Sequence, residues 1–126
     1  MFKIEVYIKE SEGKGLGVFS KNFISKGTII WEFVEGFDIK VHISDIDKLS
    51  DIQKKFIDKY FWREEDYYYS SCDHSTFQNH SSNPNSITDK NGNMVVNRDI
   101  NPDEEIVVNY NDFDLDFDLY KNELIQ

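Results

Sequence analysis

Tyr110 ends the run Pro102-Asp103-Glu104-Glu105-Ile106-Val107-Val108-Asn109-Tyr110, in which a turn passes into an apolar strand. A tyrosine there either packs in a core with its hydroxyl satisfied or presents that hydroxyl to a reacting group. His80 stands 30 residues earlier, in Asn79-His80-Ser81-Ser82-Asn83-Pro84-Asn85. Asn, Ser and Pro make ordinary turns, so a polar loop is the plain reading of that segment. Asn79-His80-Ser81 also fits a glycosylation acceptor, but nothing in the N-terminal residues reads as a secretory signal. His80 has no suitably spaced His or Cys beside it, so no metal site is expected. Gly15-Leu16-Gly17 is the third candidate. Glycine pairs usually serve tight turns; they also let backbone groups approach a polar ligand closely. The third glycine and following helix of a dinucleotide fingerprint are missing.

These residues must be positioned by short elements. Lys3 to Ile8 and Thr28-Ile29-Ile30-Trp31-Glu32-Phe33 read as strands, the second dense in β-branched and aromatic residues. Leu16 to Phe19, Tyr67 to Ser71, Met94 to Asn97 and Glu105 to Tyr110 read likewise, separated by turn residues. One section is helical. From Ser44 to Phe61, Ile46, Leu49, Ile52, Phe56, Ile57 and Tyr60 fall at helical spacing. Ser44 is the expected N-cap, and Ser50-Asp51 could cap a second helix after a break. The expectation is one α+β domain, mostly β, over residues 1–126. It has a small helical insert at about 44–61 and an acidic, aromatic flank over 111–126.

The 126 residues suffice for one domain with a modest core, and 39% apolar content argues against disorder. Ten Phe and seven Tyr could build a core, an aromatic channel, or both. Net charge is −10, and eight acids lie between Asp99 and Asp118 with no Lys or Arg among them. Such a surface repels phosphate backbones and attracts basic peptides, so direct nucleic-acid binding is not expected. Cys72 is the single cysteine, which excludes an internal disulfide and a thiolate zinc cluster. No stretch reaches membrane-spanning length, so a cytoplasmic, soluble protein is the default.

Taken in order, Gly13-Lys14-Gly15-Leu16-Gly17-Val18-Phe19, Phe77 to Asn85 and Glu104-Glu105-Ile106-Val107-Val108-Asn109-Tyr110 resemble the signature of SET-domain protein lysine methyltransferases. The resemblance spans roughly residues 8–110 and looks closest to the compact stand-alone SET proteins of bacteria and large DNA viruses. Thr76 stands where the family commonly has Arg, and Gln78 where an apolar residue is common. The resemblance implies a SET fold in which the C-terminal part threads past the Asn-His segment in a pseudoknot-like crossing. It implies S-adenosylmethionine as cofactor, held by Gly15, Leu16, Gly17, Asn79 and His80, with Phe113, Phe117 or Tyr120 stacking on the adenine. It implies Tyr110 as the catalytic tyrosine. Tyr68 and Tyr69 are then candidates for the wall of the lysine channel, with Tyr60 and Tyr67 as lesser ones. Val108 occupies a site that helps set how many methyl groups are added. The partner implied is a lysine-containing basic protein, and a homodimer stays open.

Two rival readings stand beside this one. A catalytically silent SET-like module could bind basic tails, but binding alone does not need Tyr110. Alternatively, Asp112, Asp114, Asp116, Asp118 and Glu123 occupy calcium-loop positions, although Phe117 stands where the sharp turn needs Gly.

Overall fold

The computed structural model describes residues 1–114 and 116. The chain opens with a hairpin, β1 (Val6–Ser11) against β2 (Gly15–Ser20). Its Tyr7 and Phe19 face each other across the ladder with ring centroids 5.7 Å apart. The strand expected over Lys3 to Ile8 starts only at Val6, and residues 2 and 3 take no part in it. They bond instead to the segment at Trp31, Phe2 as a bridge and Lys3 N–H to the Ile30 carbonyl. The hairpin turn therefore fixes the register of β1 and carries it to Ser11.

Two three-stranded sheets follow. In one, β9 (Met94–Val96) lies between β3 (Ile29–Trp31) and β8 (Ser86–Thr88), all antiparallel, with a bulge between Ile29 and Trp31. In the other, β6 (Tyr67–Ser70) lies between β4 (Ile39–His42) and β5 (Trp62–Glu64). The periodicity of the sequence missed β4, β5 and β8, because each is short and takes its strand form from one partner.

The helical insert is two helices, α1 (Ile43–Ile46) and α2 (Asp51–Tyr60). Ser44 is not the cap of the first; His42 is, through its ring nitrogen. Ser50 caps α2 in a full capping box: Gln53 N–H donates to the Ser50 hydroxyl, and Ser50 N–H donates to the Gln53 side-chain Oε1. Helical spacing does not bring burial here. Ile57 is the buried residue of α2, whereas Ile52 is 82% exposed and Phe56 56%.

The core joins Val18 on β2, Ile30 on β3, Val96 on β9 and the connecting residues Ile100 and Ile106, all 0–1% exposed. The stretch 100–108 explains that burial. Ile100 pairs with Ile24, Ile106 N–H donates to the Val18 carbonyl, and Glu105 bridges Phe19. The same stretch ends in β10 (Val107–Val108), which pairs in parallel with β7 (Asn79–His80). It thus passes between the hairpin and the 79–86 loop, which is the threaded crossing. Asn85, 1% exposed, holds it. Its amide oxygen accepts from Val107 N–H at 2.9 Å, and its amide nitrogen donates to the Glu105 carbonyl at 2.7 Å and to Glu104 Oε2 at 3.1 Å. The whole is α+β and mostly β, as the sequence implied.

Candidate active site

β10 sets Tyr110 in place. The strand ends at Val108, and Asn109 caps a 3₁₀ turn over Tyr110–Asp112 by accepting from Asn111 N–H. Tyr110 N–H donates to His80 Nδ1 at 3.1 Å, and the Tyr110 hydroxyl donates to the Gln78 carbonyl. The segment before His80 and the turn after β10 are therefore tied at both ends of one tyrosine. Burial, with the nearby Asp114 carboxylate, pushes the Tyr110 phenol up to about 12. It stays protonated at neutral pH, so it can orient a partner but not act as a phenolate base.

An acceptor at Nδ1 makes His80 a neutral ring with its proton on Nε2. Burial first, and then the Lys14 ammonium, hold its pKa below the ordinary histidine value, with Asp112 acting weakly the other way. Protonation would remove the acceptor for Tyr110 N–H. Because the folded pKa is depressed, this stabilisation is fully present above the unfolded value of ~6.5 and is lost as pH falls through the lower folded one. Urea midpoints measured between neutral pH and mildly acidic pH should fall more steeply for the wild type than for His80→Gln. Parallel slopes would show that His80 does not titrate against this bond.

Two of the residues expected to hold a cofactor, Leu16 and Asn79, meet in one place. A pocket of ≈ 290 Å³ is lined by Lys14, Leu16, Thr76, Phe77, Gln78, Asn79 and Tyr110. Asn79 Nδ2 donates to the Leu16 carbonyl at 3.1 Å, which joins the glycine turn to the Asn-His segment. His80 offers its backbone: Lys14 Nζ donates to its carbonyl at 3.2 Å. Gly15 lies at φ +75°, and a Cβ there would meet nothing, so its glycine serves the turn. Gly17 has a different reason. A Cβ there would stand 2.5 Å from Glu105 Oε2 and 3.1 Å from Asn79 Nδ2. The group that closely approaches Gly17 is a carboxylate of this chain rather than space for a ligand.

Tyr110 also lines a cleft of ≈ 1450 Å³, which shares Lys14, Thr76 and Gln78 with the small pocket. Its wall is a series of touching rings. Phe33 meets Tyr69 at 5.9 Å, Tyr69 stacks on Trp62 at 5.8 Å, Trp62 meets Phe113 edge-on at 5.8 Å, and Phe113 meets Tyr110 at 6.0 Å. Tyr69 and Val108, two of the channel candidates, line this cleft. Tyr68 does not. Strand alternation turns it to the opposite face of β6, where its hydroxyl faces Asp116 at 3.5 Å. Phe113, expected to cover the cofactor, is placed on the cleft wall and not in the small pocket. Phe117 and Tyr120 lie outside the described residues.

Trp62, Phe33 and Gln78 are site residues that the sequence reading missed. Trp62 reaches the wall because β5 pairs it directly with Tyr69. A signal existed in Phe61-Trp62, an aromatic pair just before the tyrosine run, but nothing local gives the register. Gln78, 6% exposed, supplies the backbone carbonyl for Tyr110, and its side-chain amide lies 3.2 Å from Met94 Sδ. The acidic residues also divide. Glu104 and Glu105 accept internal bonds from Asn85, Asn79 and Ser11, and Asp103 accepts from the Tyr7 hydroxyl. Asp114 lines the cleft with Glu35, Asp58 and Glu64, together with Lys14, Lys40, Lys55 and Lys59. Burial raises the Glu64 carboxyl above its ordinary value. Among the described residues no cluster of His, Cys, Asp or Glu could hold a metal ion; the acids at 118 and 123 of the calcium reading lie outside them.

Threaded crossing, half-buried tyrosine and two openings form one arrangement, and comparison with known proteins agrees with it. The family model of the SET domain matches residues 15–111, most of the chain, and the chain belongs to that family. Its members typically are protein lysine methyltransferases. Among solved structures it is similar to a candidate histone methyltransferase of Plasmodium falciparum, with TM-score 0.61 and 23% identity. That match covers 86% of this chain and 94% of the other. No curated protein is matched. Among the described residues no helix is long and apolar enough to cross a membrane.

Proposed function

We propose that this chain transfers a methyl group from S-adenosylmethionine to a lysine side chain of a basic protein or peptide. One observation carries the reading: the small pocket and the aromatic cleft both reach Tyr110 and Gln78. An in-line displacement needs donor and acceptor on opposite sides of the group that moves, so two openings at one hydroxyl suit it. The small pocket fits the cofactor's chemistry. Lys14 offers a cation for a carboxylate, and the half-exposed Leu16 and Phe77 offer apolar surface for the nucleoside. When bound, the cofactor supplies a methyl group activated by a positively charged sulfur.

The chain's own residues do the rest. A lysine amine must be neutral to attack, although its ordinary pKa is ~10.4. Trp62, Tyr69, Phe113 and Val108 would surround it with apolar surface, which disfavours the ammonium. The Tyr110 proton is committed to the Gln78 carbonyl. That leaves the phenol oxygen as an acceptor which can orient the amine. The exposed Glu35 and Asp58, which line the cleft, would attract a cationic chain toward it.

Transfer of labelled methyl from S-adenosylmethionine to lysine-rich proteins tests the reading, with cofactor binding followed separately by calorimetry. Binding without transfer to any basic protein would favour the silent-module alternative, and absence of binding at millimolar cofactor would reject the proposal. The apparent KM for a lysine-rich peptide should also rise with ionic strength while kcat changes little, because exposed charges act over a Debye length of ~8 Å at physiological salt. A salt-independent KM would remove the carboxylates from substrate attraction.

A further inference from the structure

Glu105 lies outside both openings, yet it ties the walls of one of them together. Its Oε1 accepts from the Ser11 hydroxyl at 2.7 Å, at one end of the hairpin turn. Its Oε2 accepts from Asn79 Nδ2 at 2.8 Å, and that same nitrogen reaches the Leu16 carbonyl. Its own backbone carbonyl is held by Asn85. One carboxylate thus joins both ends of the glycine turn, the Asn-His segment and the threaded strand. Gly17 completes the arrangement, since only a residue without Cβ leaves Oε2 its place. The carboxylate could swing away from a methyl group at position 17, but only by releasing Ser11 and Asn79.

We infer that Glu105 is the positioning residue of the small pocket: its carboxylate, seated against Gly17, fixes the backbone of residues 15–17 and the Asn79 side chain in the arrangement that binds the cofactor. The inference rests on the reading of that pocket given above. It differs from a general structural role because two of the pinned residues, Leu16 and Asn79, line the small pocket and not the cleft. The cleft residues Trp62, Tyr69 and Phe113 make no contact with this carboxylate in the bonds described.

A double-mutant cycle on the full chain tests it. Loss of two charge-assisted hydrogen bonds in Glu105→Ala should weaken S-adenosylmethionine binding by about tenfold or more in calorimetry. The KM for a peptide substrate should stay unchanged. Glu105→Gln keeps an acceptor for Asn79 and offers an N–H to the Ser11 oxygen, so it should remain within about threefold of wild type. Gly17→Ala should reproduce the Glu105→Ala loss in an otherwise normal chain. In the Glu105→Ala background the same methyl group meets no carboxylate, and Asn79, released from Glu105, can give way at its 3.1 Å contact, so affinity should change by less than about threefold, a coupling expected of residues in contact. Additive losses, or an Ala variant with wild-type affinity, would overturn the inference. So would a peptide KM that rises in step with the cofactor constant.

A second readout needs no cofactor. Amide hydrogen exchange across residues 11–17 should quicken in Glu105→Ala while β3 and β9 keep wild-type protection. If the wild type does not bind S-adenosylmethionine, the proposed function fails, and the exchange pattern alone decides whether Glu105 holds the turn. Unchanged exchange at residues 11–17 would reject the positioning role.

Discussion

Tyr110→Phe should cut methyl transfer by on the order of 10²-fold or more, the usual scale for removing one well-placed polar group from a transition state. The ring stays, so its contacts with His80 and Phe113 at 5.3 and 6.0 Å survive. Cofactor affinity should stay near normal, because the hydroxyl is assigned to orienting the attacking amine and not to holding the cofactor. The variant should also lose stability. The Gln78 carbonyl gives up its partner, and an unmet buried acceptor costs about 1–3 kcal/mol. The two effects separate cleanly: urea unfolding reads the second, and single-turnover transfer at saturating cofactor reads the first. Turnover within a few-fold of wild type would exclude Tyr110 from the chemistry. A fall in cofactor affinity that accounts for the whole loss would reassign it to binding.

Asn85→Leu should be the most destabilising single change in the crossing. The side chain keeps its approximate size, so the effect is polar rather than a cavity. It takes the partner from Val107 N–H and from the Glu105 carbonyl, at a side chain that is only 1% exposed. Two such groups at about 1–3 kcal/mol each would consume a large part of a typical stability of about 5–15 kcal/mol. Asn85→Asp is the informative partner. It keeps an acceptor for Val107 N–H but sets a carboxylate against Glu104 and the Glu105 carbonyl, so it should be destabilising too. A drop below about 1 kcal/mol in the Leu variant would show that β10 is held by its parallel pairing with β7 alone.

The site was legible in unequal parts. Leu16, Asn79 and Tyr110 were readable because their residue types and order carry the family's signature, and the structure brings them to one pocket. Phe33 and Trp62 were not, since an aromatic residue in a short strand looks the same whether it faces a core or a cleft. Tyr68 and Tyr69 show the limit sharply. The two are identical and adjacent, and only the pairing of β6 with β4 and β5 decides which one faces the cleft. Gly17 was readable as a constrained glycine, but the constraint, a carboxylate 88 positions later, lay out of local reach.

The helical insert makes the same point from packing. Ile52, Phe56 and Tyr60 announce a helix through their spacing, and α2 forms where Ser50 can cap it. Spacing fixes which residues share a stripe of the helix, but it says nothing of what lies opposite, and here the stripe faces outward. By itself the sequence determined local choices set by neighbours a few residues away: turns at glycines, the capped helix, the mostly-β composition and the family signature. The tertiary structure alone decided which face of each strand is the wall, which acids are structural, and how one tyrosine is tied to both Gln78 and His80. Those outcomes depend on pairing between residues tens of positions apart, whose hydrogen bonds and burial exist only once the chain has crossed itself.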